Sequence, residues 1–213
     1  MKMIPSITID STKGETDLCQ MGLLCGTDKT PLNINGHRHP YTAVYSLLFG
    51  RYRYRNCKFA EIGVAGGSSV VMWNLYFTDA MFYFFDRDQN FLLNSMQHVS
   101  KDNNRFYLMD VKDSSTIIQS LTSTGGDLDI LLDDSSHTFE DQIRIIKDGL
   151  PYVKSGGMII IEDIYRDASE TKYYDELKDV LDQFSEVFFI VTDHKKRYSP
   201  GWDNDKLLVL IKR

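Results

Sequence analysis

Cysteine, basic charge and long apolar runs are all scarce in this chain. Its three cysteines, Cys19, Cys25 and Cys57, form neither a Cys-x-x-Cys pair nor an even set, so no disulfide framework is expected. No run approaches the roughly 18 apolar residues of a membrane span. The start, Met1-Lys2-Met3-Ile4-Pro5, lacks the apolar core of a signal peptide. A soluble, reduced, cytoplasmic protein without membrane insertion is the expectation. Acids outnumber Lys and Arg by 30 to 24, giving a formal net charge of −6, so no basic face for a nucleic-acid backbone is implied. The short basic runs Arg51–Arg55 and Lys195-Lys196-Arg197 read as solvated faces. No internal repeat or low-complexity tract occurs. What the chain does have is 42% hydrophobic residues in 213, enough for one well-buried domain spanning 1–213.

Residues 1–57 read as a helical segment covering an active site. A helix is predicted from Glu15 to Leu24, then Gly26-Thr27-Asp28-Lys29, a polar loop, and a second helix from Tyr41 to Tyr52. From residue 58 strand and helix alternate. Strands are predicted near Phe59–Val64, Met81–Phe85, Arg105–Met109, Leu128–Leu132 and Met158–Ile161. Helices are predicted near Ser68–Tyr76, Gln89–Val99, Ser114–Leu121, Phe139–Gly149 and Glu170–Phe184. Such alternation gives right-handed βαβ crossovers and a doubly wound α/β sheet. Glu186–Thr192 and Lys206–Ile211 are two further strands joined by a polar loop too short for a parallel crossover, so the last strand should be antiparallel. The outline resembles the Rossmann-like sheet of class I methyltransferases.

Two acidic clusters end apolar strands of that sheet. Asp133-Asp134-Ser135-Ser136-His137 follows Leu128–Leu132, and Glu162-Asp163 follows Gly157–Ile161. Parallel strands deliver such residues together to the sheet's C-terminal edge, where open α/β sheets bind ligands. Carboxylates converging there repel one another unless a cation joins them, and hard oxygen donors suit Mg²⁺ or Mn²⁺. His137 beside them is a candidate base.

Phe59 to Ser69 reads as strand, glycine turn and helix start. Position 65 is alanine, and Glu61 sits two residues before Gly63, so the pattern is acid-x-Gly-x-x-Gly-Gly rather than a dinucleotide fingerprint. A carboxylate there is awkward for a pyrophosphate and reasonable near a cationic sulfonium. The pattern resembles the S-adenosylmethionine loop of class I methyltransferases, with Glu61, Gly63, Gly66 and Ser68 on the donor. Asp86 ends the next strand 23 positions after Gly63 and is placed to accept ribose hydroxyls. Asp88 is the competing acid. Asp110 ends the third strand and is assigned to the adenine. Helix capping is the alternative for Asp86 and Asp110.

Gly26-Thr27-Asp28-Lys29, His39-Pro40-Tyr41, Tyr45, Glu61-Ile62-Gly63-Val64, Asp133 to His137, Gly156-Gly157 and Glu162-Asp163 occur in that order. The series resembles the metal-dependent sugar O-methyltransferases of the macrocin and mycinamicin type. The rhamnosyl O-methyltransferases and cephalosporin-hydroxylase-like proteins are similar. The resemblance runs from Gly26 to Asp163 and departs from the family pattern at Ser135, where glycine is usual. It implies that Asp134, Glu162 and Asp163 bind Mg²⁺ (or Mn²⁺), that His137 is the general base, and that Asp133 lies with the donor, S-adenosyl-L-methionine. The acceptor it implies is a sugar hydroxyl on a small molecule or glycan; a homo-oligomer is compatible with the sequence.

That chemistry is coherent, because a sugar hydroxyl is a poor nucleophile at pH 7 and gains from a metal, a base and a positioned methyl donor. The loop from His194 to Asn204 should start at the same sheet edge. Its Tyr198 and Trp202, with Tyr41, are the aromatic candidates for the acceptor pocket. Other readings stay open: a catechol-type O-methyltransferase, a non-enzymatic binding domain, or a short-chain dehydrogenase using Tyr174-x-x-x-Lys178.

Overall fold

A computed structural model describes residues 3–34 and 36–213; the Met1-Lys2 start of the leader reading lies outside the described residues. Its strands are β1 (Ser6–Asp10), β2 (Cys57–Ile62), β3 (Ala80–Asp86), β4 (Asn104–Leu108), β5 (Leu128–Asp133), β6 (Val153–Ile164), β7 (Phe184–Asp193) and β8 (Lys206–Lys212). The helices are α1 (Asp17–Cys25), α2 (Tyr41–Phe49), α3 (Ser68–Tyr76), α4 (Gln89–Met96), α5 (Ser114–Thr122), α6 (Phe139–Gly149) and α7 (Glu170–Leu177). One sheet runs in the order β1-β7-β8-β6-β5-β2-β3-β4. β8 is antiparallel to both β6 and β7, and every other neighbouring pair is parallel. The doubly wound sheet with its antiparallel last strand is therefore present.

Side chains alternate across each strand, so one apolar run feeds two cores. Leu131, Ile159 and Ile161 pack with Ile117, Leu121, Ile145 and Ile146 on the α5–α6 side. Ile130, Leu132 and Ile160 pack on the other side with Leu18, Val44, Tyr45, Phe49 and Trp73 from α1, α2 and α3. Two helices, α4 and α5, start where an Asp side chain caps the first turn. Asp88 accepts from Asn90 N at 2.8 Å and Asp113 from Ser115 N at 2.8 Å.

Several elements differ from the sequence reading. β1 was not expected; it is a short edge strand, exposed along most of its length and held by parallel pairing to β7. α2 stops at Phe49 and passes into a 3-10 turn, Gly50–Tyr52. α4 ends at Met96 rather than Val99. The helix predicted to reach Phe184 ends at Leu177, and Phe184 already belongs to β7. Among the described residues no helix is long and apolar enough to cross a membrane.

Candidate active site

The two acidic clusters are brought together by adjacent strands. β5 pairs with β6 through Leu131↔Ile159 and Asp133↔Ile161, which sets Asp134 beside Glu162 and Asp163. In a regular strand Glu162 and Asp163 would face opposite sides of the sheet. β6 instead carries one extra residue: the β8 pairing jumps from Ile161↔Leu208 to Ile164↔Lys206. Asp163 within this bulge has φ +55°, and His137 has φ +56°. Neither residue is glycine, so both conformations cost of order 1–3 kcal/mol and are held by their surroundings. The bulge re-aims the paired acids.

Asp163 is oriented by the N-terminal segment. The Tyr41 hydroxyl donates to its Oδ1 at 2.6 Å and to the Asn204 carbonyl at 2.9 Å. His39 stacks on Tyr41, bonds Asp205 at 2.6 Å through Nδ1, and brings Nε2 to 3.9 Å from Asp163. His137 Nε2 lies 3.6 Å from Asp163 Oδ2. Asp134, His137 and Asp163 each present one ligand atom within 4.8 Å of the others. Their carboxylates and imidazole are a donor set for a divalent cation.

Glu162 has a different environment. It is 1% exposed; Tyr45 donates to its Oε1 at 2.5 Å, and Lys29 Nζ to its Oε2 at 2.6 Å. Lys29 also pairs with Asp134 and lies 3.9 Å from Glu61. Burial disfavours the Lys29 charge, but Asp134 and Glu162 outweigh it and hold the ammonium well above its ordinary pKa. Glu162 itself is pushed well up, first by burial and then by Asp134 and Asp163, against the pull of Lys29. Burial likewise raises Glu61 to about 7 although Lys29 opposes it. The cluster thus holds more acid than Lys29 alone balances, which fits a further cation.

The glycine turn closes onto this cluster. Gly63 has φ +89°, and a Cβ there would stand 2.1 Å from the Asp134 carbonyl oxygen. Only glycine lets β2 and the acid loop approach so closely. Two clefts meet at this contact, both lined by Ala65 and Asp134. One, of about 390 Å³, lies against Asp28, Lys29, Gly66 and Ser68. The other, of about 420 Å³, lies against Gly63, Asp86, Phe91, Met109 and Asp110.

Several expected site residues are placed differently. Asp86 lines the second cleft, but its Oδ2 already accepts from Val64 N at 3.0 Å and Ala65 N at 3.2 Å, and its Oδ1 from Asp88 N at 2.9 Å. It shapes the glycine turn as well as facing the cleft, while Asp88 caps α4. Asp110 is exposed and accepts from Lys112 N at 3.0 Å. Glu61 and Asp133 line neither cleft. Glu61 is fully buried and accepts from Ser69 Oγ at 2.9 Å. Asp133 is 2% exposed, accepts from Ser135 Oγ at 2.5 Å, and is raised to about 7 by burial against those bonds. Tyr41 is not an acceptor wall: it is fully buried and spends its hydroxyl on Asp163 and Asn204. Tyr198 and Trp202 are each 50% exposed. Tyr198 exchanges two backbone bonds with Arg38, at 2.9 and 3.1 Å, which ties the loop to the N-terminal segment. Lys29, His39 and Tyr45 were not singled out as site residues. Only the ordered motif series contained them, because nothing local marks a loop lysine as buried. Tyr174 and Lys178 line neither cleft, and Lys178 falls beyond the end of α7.

Residues 60–164, about half the chain, match a family model described as a methyltransferase domain. The span runs from the glycine turn through both acidic clusters. These residues are a methyltransferase domain. Among curated relatives, the 8-demethyl-8-alpha-L-rhamnosyl tetracenomycin-C 2'-O-methyltransferase of Streptomyces olivaceus is 27% identical over 172 residues, 78% of this chain and 41% of that protein. The demethylmacrocin O-methyltransferase of Streptomyces fradiae is 27% identical over 137 residues, 61% of this chain and 33% of that protein. The chain thus spans less than half the length of these relatives. A solved structure of the MycE methyltransferase from the mycinamycin biosynthetic pathway, in complex with Mg, SAH and mycinamycin VI, superposes with a TM-score of 0.68. It is 21% identical, and the match covers 93% of this chain and 55% of that one. The methyltransferase domain and its fold neighbours agree on a Rossmann-like sheet, and the chain resembles the metal-dependent sugar O-methyltransferases.

Proposed function

We propose that the protein is an S-adenosylmethionine-dependent, divalent-metal-dependent O-methyltransferase acting on a sugar hydroxyl, such as that of a rhamnose-like deoxysugar in a glycan or nucleotide sugar. One observation carries the reading. Asp134 lines both clefts and converges with His137 and Asp163, which line neither. A donor in one or both clefts therefore lies beside Asp134. The sugar assignment is supported by the names of the relatives, which act on rhamnosyl and macrolide substrates.

Asp134 and Asp163 would hold the ion, Mg²⁺ or Mn²⁺ by the hardness of their oxygens. When bound, such an ion lowers the pKa of an attached hydroxyl, in the best cases taking bound water from 15.7 to about 7. Tyr41 and His39 hold Asp163 in place from behind. His137 Nε2 faces the same point, which suits a base that removes the acceptor proton as the hydroxyl oxygen attacks the sulfonium methyl. Asp86 shapes the turn at the donor cleft and retains lone-pair capacity for ribose hydroxyls. Trp202 and Tyr198, half-exposed on the loop tied to Arg38, offer apolar faces for a sugar ring.

Divalent-ion removal tests the reading. EDTA should abolish methyl transfer and Mg²⁺ or Mn²⁺ restore it, while calorimetric affinity for S-adenosylhomocysteine persists. Unchanged turnover in EDTA would contradict the mechanism.

A further inference from the structure

Lys29 sits at the centre of the acid cluster, and the reaction above gives it no part. It reaches in from the loop after α1, is 2% exposed, and commits its ammonium to Asp134 and Glu162 with Glu61 at 3.9 Å. Both Glu162 oxygens are consequently occupied, one by Lys29 and one by Tyr45. Although Glu162 is covalently next to Asp163, it is absent from the donor group of Asp134, His137 and Asp163. The two adjacent acids take different partners: Glu162 meets Lys29 and Tyr45, and Asp163 meets Tyr41 and His137. Asp134 faces both sides. Glu61, Asp134, Glu162 and Asp163 together resemble the carboxylate set of a two-ion site, where a shared carboxylate bridges ions about 3.5–4 Å apart. Lys29 stands where the second ion of such a set would be.

We propose that Lys29 is a resident cation that takes the place of a second divalent ion, keeps Glu162 out of the ligand set and limits the site to one ion. The inference rests on the divalent-ion reading of Asp134 and Asp163. Lys29 is then a positioning residue: it fixes which carboxylates an ion meets. A fixed +1 charge also leaves part of the cluster's negative charge for the remaining ion, so one ion is still attracted.

The experiment is calorimetric titration of MnCl₂ into the full chain, with electron paramagnetic resonance of the loaded protein to distinguish isolated from coupled Mn²⁺. Wild type should bind one isolated ion. Lys29→Met, which keeps the stem and removes the charge, should bind a coupled second ion, or the first at least tenfold more tightly as Glu162 joins it. Lys29→Met/Glu162→Gln removes both charges and should return to one ion near wild-type affinity. Lys29→Arg should keep one ion. If Lys29→Met does not fold, the double variant and Lys29→Arg decide. Loss of the ion from a folded double variant would show that Glu162 is itself a ligand and overturn the proposal. A folded Lys29→Met with unchanged stoichiometry and affinity would overturn it while leaving the divalent-ion reading intact. Failure of both wild type and Lys29→Met to bind Mn²⁺ would overturn both.

Discussion

Replacing Gly63 with alanine should damage both stability and ion binding, because one backbone contact joins the glycine turn to the acid loop. Gly63 sits at φ +89°, where a side chain costs about 1–2 kcal/mol. The new Cβ would also stand 2.1 Å from the Asp134 oxygen, 2.7 Å from its carbonyl carbon and 2.9 Å from Ser135 Cα. All three are backbone atoms, so no side chain can swing away. Relief requires the acid loop to move by roughly 1 Å, at the about 1–3 kcal/mol typical of overpacking. The sum is about 2–5 kcal/mol. At roughly 2–4 °C per kcal/mol for a chain of this size, the melting temperature should fall by about 4–20 °C. Urea unfolding gives the free energy, and MnCl₂ titration of the folded variant should show weaker binding, since Asp134 moves with the loop. A loss below about 1 kcal/mol with unchanged Mn²⁺ and S-adenosylhomocysteine affinity would refute the argument that this contact sets the site.

Asp86→Ala should weaken donor binding on the order of 1.5–3 kcal/mol through the ribose, with an accompanying fall in melting temperature because Val64 N and Ala65 N lose their acceptor; unchanged calorimetric affinity would remove it from the donor site. His137→Ala should lower turnover by roughly 10²–10⁴-fold with donor affinity preserved, and a variant as fast as wild type would exclude it as the base. Trp202→Ala should raise the acceptor KM with little change in melting temperature, given its 50% exposure; a large stability loss with unchanged kinetics would mean that it only anchors the loop. The Glu61 carboxyl is raised by burial from 4.5 to about 7 in the folded state, so folded protein binds more protons than unfolded between those values. Its contribution is fully present below about pH 4.5 and is lost as pH rises through 7, on the order of 3 kcal/mol. Urea unfolding of metal-free Glu61→Gln should show a flatter pH dependence than wild type over that window, and parallel curves would count against the assignment.

The sheet was legible because its strands are apolar runs ending in glycine or acid, and because a polar loop without a helix can join only antiparallel neighbours. β1 was hidden for the opposite reason: Ser6–Asp10 is short and mostly exposed, and only pairing to β7 makes it a strand. That the two acidic clusters meet at one sheet edge followed from strand order, but the sequence reading grouped Glu162 with Asp134 and Asp163, whereas the structure groups His137 with them. What the sequence could not convey was how the acids divide their partners. Glu162 and Asp163 look equivalent on paper, but Lys29 and Tyr45 occupy the first while Tyr41 and His137 face the second, next to a one-residue bulge with a left-handed Asp163. Lys29 lies in a polar loop, where lysines are ordinarily solvated. Its burial depends on carboxylates more than a hundred positions away in the chain. Tyr41 shows the same limit: helical spacing placed it correctly on α2, but its hydroxyl braces Asp163 instead of meeting an acceptor.

We propose that a divalent ion at Asp134 and Asp163 enables methyl transfer to a sugar hydroxyl. The most direct test incubates the protein with S-adenosylmethionine and a panel of rhamnosides and other deoxysugars, in Mg²⁺ and in EDTA, and reads products by mass. A sugar should gain a single methyl group in Mg²⁺ and none in EDTA, with S-adenosylhomocysteine bound in both. Equal methylation in EDTA, or no binding of S-adenosylhomocysteine under either condition, would contradict it.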